Sequence, residues 1–271
     1  MRIRSTTLIR ILTAAVLLLI FGACLYFGRV TRTLFFLAVS CISAWEMERA
    51  LSKMEMHVTP WAAWAESVLL VVAIFWDRSK YGVLSAVCLV VLGVLAVGLF
   101  KQKSFRDLSG SVFVCIYPTL FLMSIAYVCG QEDTLWMPVL CVSLLSASLC
   151  DIFAYFGGRL FGKHKLCPKI SPNKTVEGAV IGTLFGTASG VLAWLLLRNV
   201  VTIPLYGYLL TALLCSLTGQ VGDLCASSLK RQAGIKDFSR LLPGHGGMMD
   251  RIDSYCFAFP TALCILGIFF H

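Results

Sequence analysis

Charge is scarce in this sequence. Asp, Glu, Lys and Arg make up 14% of its 271 residues, where a soluble domain carries about 25%. With 58% hydrophobic residues, that shortfall excludes an ordinary soluble enzyme and a disordered chain. Short alternating apolar segments are also lacking, which argues against a transmembrane β-barrel. The 12 cysteines include no Cys-x-x-Cys pair, and most fall inside apolar runs, as Cys24, Cys88, Cys115, Cys141 and Cys264 do. Such residues pack as small hydrophobes, so neither a disulfide framework nor a zinc site is expected. There is no P-loop and no dinucleotide Gly-x-Gly-x-x-Gly after a strand. An N-terminal Met-Gly and a C-terminal prenylation motif are absent too.

What is present is apolar runs near the length that crosses a hydrocarbon core of about 30 Å. Nine qualify: 8–27, 33–50, 58–76, 82–100, 110–129, 135–156, 178–197, 203–221 and 252–270. The second ends in Trp45-Glu46-Met47-Glu48-Arg49, and the third carries Pro60 and Glu66. The pattern predicts an all-α polytopic integral membrane protein with about nine transmembrane helices. Residues 1–271 form a single membrane domain: 1–135 are helices without motifs, and 136–271 are a catalytic half with two loops. Arg2, Arg4 and Arg10 precede the first run, but no small-residue cleavage pattern follows, so it reads as a helix rather than a leader.

The formal charge of +9 is unevenly placed. With nine spans, 18 of the 23 Lys and Arg fall on the face that holds the N-terminus, and five (Arg29, Arg32, Arg78, Lys80 and Arg198) on the other. This asymmetry puts the N-terminus in the cytoplasm and His271 outside. Ten of the 18 lie in two stretches, 157–177 and 222–253, which also hold or flank all six acids after residue 140: Asp151, Glu177, Asp223, Asp237, Asp250 and Asp253. The positive-inside rule explains the bases. It does not explain Asp151 and Asp223, since acids at membrane-embedded helix ends are costly unless paired or metal-bound.

In the first stretch, Pro168 and Ser171-Pro172-Asn173 predict a stiff turn rather than a helix. Asn173 or Thr175 can cap the helix that follows, with Glu177 in its first turn. Lys163, Lys165, Lys169 and Lys174 make a cationic surface suited to a phosphate head group or to anionic lipid generally. In the second, Asp223, Ser227, Lys230 and Arg231 recur at helical spacing. Pro243-Gly-His-Gly-Gly then breaks the helix and lets backbone N–H groups approach a ligand. Asp250 and Asp253 share a face at the start of the last span and suit a hard divalent cation. Acids, bases and glycines on one membrane face are the materials of phosphate chemistry. For His245 we favour positioning or hydrogen bonding over general base, because a phosphate nucleophile is already ionised near neutral pH.

These residues resemble a known signature, that of the phosphatidate cytidylyltransferases (CDP-diacylglycerol synthases). The matching positions are Ser227, Leu229, Lys230, Arg231, Lys236, Asp237, Ser239, Leu242, Pro243, His245, Gly246, Gly247, Asp250, Arg251 and Asp253. The upstream stretch is also similar, from Asp151, Tyr155, Gly158 and Arg159 through Phe161-Gly-Lys163-His164-Lys165 to Ser171, Pro172, Lys174, Thr175, Glu177 and Gly178. Ile152 departs from the family's usual Thr. The resemblance implies that CTP and phosphatidic acid give CDP-diacylglycerol and pyrophosphate with Mg²⁺, a second cation being left open. It implies catalytic roles for Asp223, Lys230, Asp250 and Arg251. Substrate contacts would come from Ser171, Lys174, Thr175, Ser227, Arg231, Lys236, His245, Gly246 and Gly247. Asp223 and Asp250 lead the metal candidates, ahead of Asp253, Asp151 and Glu177. It further implies CTP, phosphatidic acid and membrane lipid as partners, no nucleic acid, and a bacterial plasma membrane with the site facing the cytoplasm; a homodimer stays open. A CDP-alcohol phosphotransferase is disfavoured because its Asp-Gly-x-x-Ala-Arg cluster is absent. A transporter or lipid scaffold would explain the charge but not the constellation.

Overall fold

The computed structural model describes residues 2–76 and 80–270. Arg78, one of the orienting charges, and His271, the expected external terminus, lie outside the described residues. The helices are α1 (Arg2–Tyr26), α2 (Arg29–Ser52), α3 (Pro60–Trp76), α4 (Lys80–Phe100), α5 (Phe105–Val114), α6 (Phe121–Gly130), α7 (Trp136–Phe161), α8 (Val176–Leu197), α9 (Leu205–Gln232) and α10 (Met249–Phe269). A π-helical turn, Cys115–Leu120, joins α5 to α6. Two short strands, β1 (Lys165–Cys167) and β2 (Ser171–Thr175), pair antiparallel between α7 and α8.

Each of the nine apolar runs lies in helical chain, apart from a residue or two at some ends. Among the described residues, seven helical stretches are long and apolar enough to cross a membrane, by length and composition. The weakly marked second run is one of them, Arg29–Ser52. The apolar parts of α3 and α4, Trp61–Trp76 and Leu84–Phe100, are shorter. The fifth run is continuous in hydropathy but not in geometry. Pro118 removes a backbone donor there, and Tyr117 leaves helical φ/ψ.

The chain divides into two compact units. One comprises Met1–Glu132 with Gln232–Arg251, and the other Asp133–Arg231 with Ile252–His271. The first break along the chain falls between Glu132 and Asp133. The segment Gln232–Arg251 nevertheless belongs with the N-terminal helices.

In the first unit α2 supplies a long buried face, including Phe36, Val39, Ala44, Glu46, Met47 and Leu51. α3 and α6 contribute Leu70, Ile74, Leu122 and Ile125 to the core. Gly130 lets α6 approach closely, since a Cβ there would sit 2.3 Å from Ile74. Some of the presumed orienting bases also have local work. Lys103 donates to the His57 carbonyl at 2.9 Å and Arg106 to that of Met54 at 2.5 Å, while Asp107 accepts the His57 N–H at 2.6 Å. These bonds tie the α2–α3 connection to the start of α5.

In the second unit a glycine recurs every fourth residue of α8. A Cβ on Gly178, Gly182, Gly186 or Gly190 would approach a backbone oxygen, those of Ala154, Cys150, Ser146 and Tyr208, to between 2.6 and 2.9 Å. Small residues at this spacing bring helix backbones together. Here they seat α8 against α7 along its upper length and against α9 at Tyr208. Phe153 and Phe185 stack at 3.8 Å across the α7–α8 contact.

Candidate active site

Both stretches singled out above fold more regularly than loops. α7 continues to Phe161, so Gly157–Phe161 is helix, and the remainder of that stretch forms the β1–β2 hairpin around Pro168. α9 runs on to Gln232, beyond the apolar run that ends at residue 221. Asp223, Ser227, Lys230 and Arg231 are therefore helical, as their spacing predicts. The cap left open between Asn173 and Thr175 is Thr175: its hydroxyl accepts the Gly178 N–H at 3.2 Å, while Asn173 lies within β2.

The second unit gathers three carboxylates. Asp151 comes from α7, Asp223 from α9 and Asp253 from α10. A Cβ on Gly222 would stand 2.5 Å from the Asp253 carbonyl, so α9 and α10 touch beside these acids. Asp223 forms an ion pair with Lys174 of β2 and accepts from Ser227 Oγ at 3.3 Å. Asp151 accepts from Ser254 Oγ at 3.4 Å, and Asp253 accepts the Ser254 N–H at 2.8 Å. Ser254 thus links Asp151 to Asp253, and the Lys174–Asp223 pair stands next to Gly222, where α9 meets α10. Glu177 has other partners. It accepts the N–H groups of Lys163 and His164 at 3.1 and 3.2 Å and meets His164 Nδ1 at 2.6 Å, which anchors the hairpin to α8. Ser171 opens β2 and is part-exposed; Arg231 is exposed near the end of α9.

The first unit holds the rest of the signature, folded as a tight loop ahead of α10. Gly234, Gly244 and Gly246 have φ of +66°, +76° and +86°, the left-handed region that only glycine enters cheaply. Leu242 donates to the Gly246 carbonyl at 2.9 Å, closing the turn that carries His245. Asp250 Oδ2 accepts the N–H groups of Phe238 and Gly247 at 2.8 and 3.0 Å, so this carboxylate helps hold the loop. A cavity of about 670 Å³ opens on the loop, lined by Arg10, Lys236, Asp237, Arg240, His245 and Arg251 among others. That volume is in the range of small-molecule sites, and its four cations suit a polyanion. His245 Nδ1 is buried and has no hydrogen-bond partner among the described residues.

Three residues of the first 135 belong to this loop's setting and carried no motif. Glu46 of α2 is fully buried. It accepts from Ser239 Oγ at 2.5 Å, from the Met248 N–H at 2.9 Å and from the Met249 N–H at 2.7 Å. An acid inside an apolar run was the available signal. Arg10 of α1 lines the cavity, and Thr13 one turn on contacts the loop through the Pro243 carbonyl at 3.2 Å.

Among the described residues, no three His, Cys, Asp or Glu side chains converge as a metal cage. Mg²⁺ does not require one. It keeps several waters and is held by one or two carboxylates together with substrate phosphates. The all-oxygen donor set of Asp151, Asp223 and Asp253 fits such an open site.

A family model described as "Cytidylyltransferase family" matches residues 8–269. The chain is similar to a protein named phosphatidate cytidylyltransferase from Staphylococcus haemolyticus, with 34% identity over 95% of this chain and 98% of that protein. It is similar to one of the same name from Brucella abortus, with 34% identity over 90% of this chain and 87% of that protein. A third, from Staphylococcus saprophyticus, is 38% identical over 62% of this chain and 66% of that protein.

Proposed function

This chain belongs to the cytidylyltransferase family, and we propose that it transfers the cytidylyl group of CTP to phosphatidate, giving CDP-diacylglycerol and pyrophosphate. It is an integral membrane protein. The observation that carries the proposal is the Lys174–Asp223 ion pair next to Gly222, where α9 meets α10, with Asp151 and Asp253 joined through Ser254. We further infer nine spans, a cytoplasmic N-terminus and a site facing the cytoplasm of a bacterial cell, supported by the charge asymmetry of the connections.

In this reading an oxygen of the lipid phosphate attacks the α-phosphorus of CTP in line. The new P–O bond forms as the bond from the α-phosphorus to the β-bridging oxygen breaks, and pyrophosphate leaves with that electron pair. Asp223, with one of Asp151 and Asp253, would hold Mg²⁺, which when bound neutralises phosphate charge and favours the leaving group. Lys174 exchanges its ion pair with Asp223 for a phosphate oxygen of lipid or nucleotide. In the first unit, Lys236, Arg240, Arg251 and Arg10 bind the triphosphate, and His245 Nδ1 gains a partner from the ligand. Asp250 keeps the loop shaped for this. Lys230 and Arg231, on the last turn of α9, supply further positive charge.

Incubating the purified protein with labelled CTP, phosphatidate and Mg²⁺ tests the reading. CDP-lipid and pyrophosphate should form in equal amounts, and only when both substrates are present. A phosphotransferase would instead consume CDP-lipid, and a transporter or scaffold would leave CTP intact; either result rejects the reading.

Two substitutions probe the first unit. Arg10→Ala should raise the apparent KM for CTP about tenfold with kcat little changed, as expected for one lost charge-assisted contact. An unchanged KM would remove Arg10 from the cavity's function. Gly247→Ala would put a Cβ 2.6 Å from Glu46 Oε1. Overpacking of this kind costs about 1–3 kcal/mol, and here it falls on the loop. Turnover should drop about tenfold or more, measured as pyrophosphate release, and a wild-type rate would show that the loop tolerates the shift.

A further inference from the structure

A second cavity, of about 550 Å³, shares Lys236, Asp237 and Arg240 with the first, in the same unit. Trp45 and Arg49 line it from α2 and Lys53 from the residue that caps it, and Lys236, Asp237 and Arg240 line it from the loop. Trp45, Arg49 and Lys53 are four residues apart and make one stripe running to the end of the helix. The Arg49 guanidinium sits 4.7 Å over the Trp45 ring, which fixes its direction. Four cations and one carboxylate leave a formal charge of +3, and most of the remaining wall is apolar. α2 is one of the stretches able to cross a membrane, and Arg49 and Lys53 lie at its end. Trp beside Arg and Lys at that depth is the composition of a head-group contact.

We propose that this cavity binds the phosphate head group of an anionic lipid. Lys236, Asp237 and Arg240 line both cavities, so a lipid phosphate held here borders the cavity assigned to the triphosphate. A soluble anion would need neither the Trp nor the apolar wall, and nothing would place it at a span's end. That the lipid is the phosphatidate substrate rests on the function proposed above. The site itself does not.

The test uses the purified full chain and short-chain phosphatidate, with bound lipid counted by native mass spectrometry. Arg49→Ala/Lys53→Ala should weaken binding at one site about thirtyfold, on the scale of two head-group charges. Arg49→Lys should restore most of the affinity in the Arg49 background, and CTP binding should be unchanged, which reports an intact fold. Wild-type lipid affinity in the double variant overturns the proposal. So does an equal loss of CTP binding, or displacement of the lipid by inorganic phosphate at the same concentration. Turnover in nanodiscs then separates the sources. A raised KM for phosphatidate identifies the substrate, whereas lost stimulation by phosphatidylglycerol at constant KM identifies a regulatory lipid, and either supports the site. Lipid binding without CDP-lipid formation would refute the proposed reaction alone.

Discussion

Glu46→Gln is expected to lower turnover about a hundredfold while the protein still inserts and melts cooperatively. The Glu46 carboxylate is buried in α2 and receives three donors: the Ser239 hydroxyl and the N–H groups of Met248 and Met249. Glutamine keeps one acceptor oxygen and turns the other into an NH₂ group, which then faces a backbone donor. Hydrogen bonds to a charged group contribute about 1.5–3 kcal/mol each, and a stranded buried donor costs about as much. A loss near 3 kcal/mol in holding the loop corresponds to about a hundredfold in rate. Glu46→Ala should be worse, since it removes every acceptor and leaves a void. Glu46→Asp should fall between, because its carboxylate is one methylene short. Steady-state rates of CDP-lipid formation beside thermal melts decide the matter. A Glu46→Gln enzyme with wild-type kcat would mean that the loop holds its shape without this carboxylate.

Glu46 also shows where reading the letters stops. It lies 193 residues from Ser239 and 203 from Met249, and no local pattern spans that separation. Within Trp45-Glu46-Met47-Glu48-Arg49 it passes for the polar end of a span. Its burial alone separates it from Arg49, which is exposed. Helices were legible because bilayer thickness makes run length diagnostic, and Asp151 and Asp223 were legible because acids in apolar surroundings demand a reason. Which acids share a neighbourhood was not legible. Spacing groups Asp250 with Asp253, yet Asp253 gathers with Asp151 and Asp223 while Asp250 holds backbone N–H groups of the loop. Likewise Glu177 reads as a first-turn acid and a metal candidate until the chain leading into the hairpin brings two N–H groups and a histidine to it. The glycines at 178, 182, 186 and 190 were plain in the letters, but only packing against α7 and α9 gives them meaning.

Asp223→Asn should carry the largest effect, a loss of at least about a thousandfold in cytidylyl transfer. The side chain keeps its shape but loses the charge that pairs with Lys174. Two explanations of such a loss make different demands. If Asp223 serves only to place Lys174, then Lys174→Ala alone costs as much as Asp223→Asn, and the double variant costs no more. If Asp223 acts on the phosphates or their cation directly, Asp223→Asn remains costly in the Lys174→Ala background. The second result is expected. Asp223 stands with two further carboxylates, a constellation that placing one lysine does not need. The cycle is read from pyrophosphate release at saturating CTP and phosphatidate, with membrane insertion verified for each variant. Full turnover by Asp223→Asn would remove this residue from the chemistry. Costs that vanish in the Lys174→Ala background would reduce Asp223 to a positioning residue and shift the metal-holding role to Asp151 and Asp253.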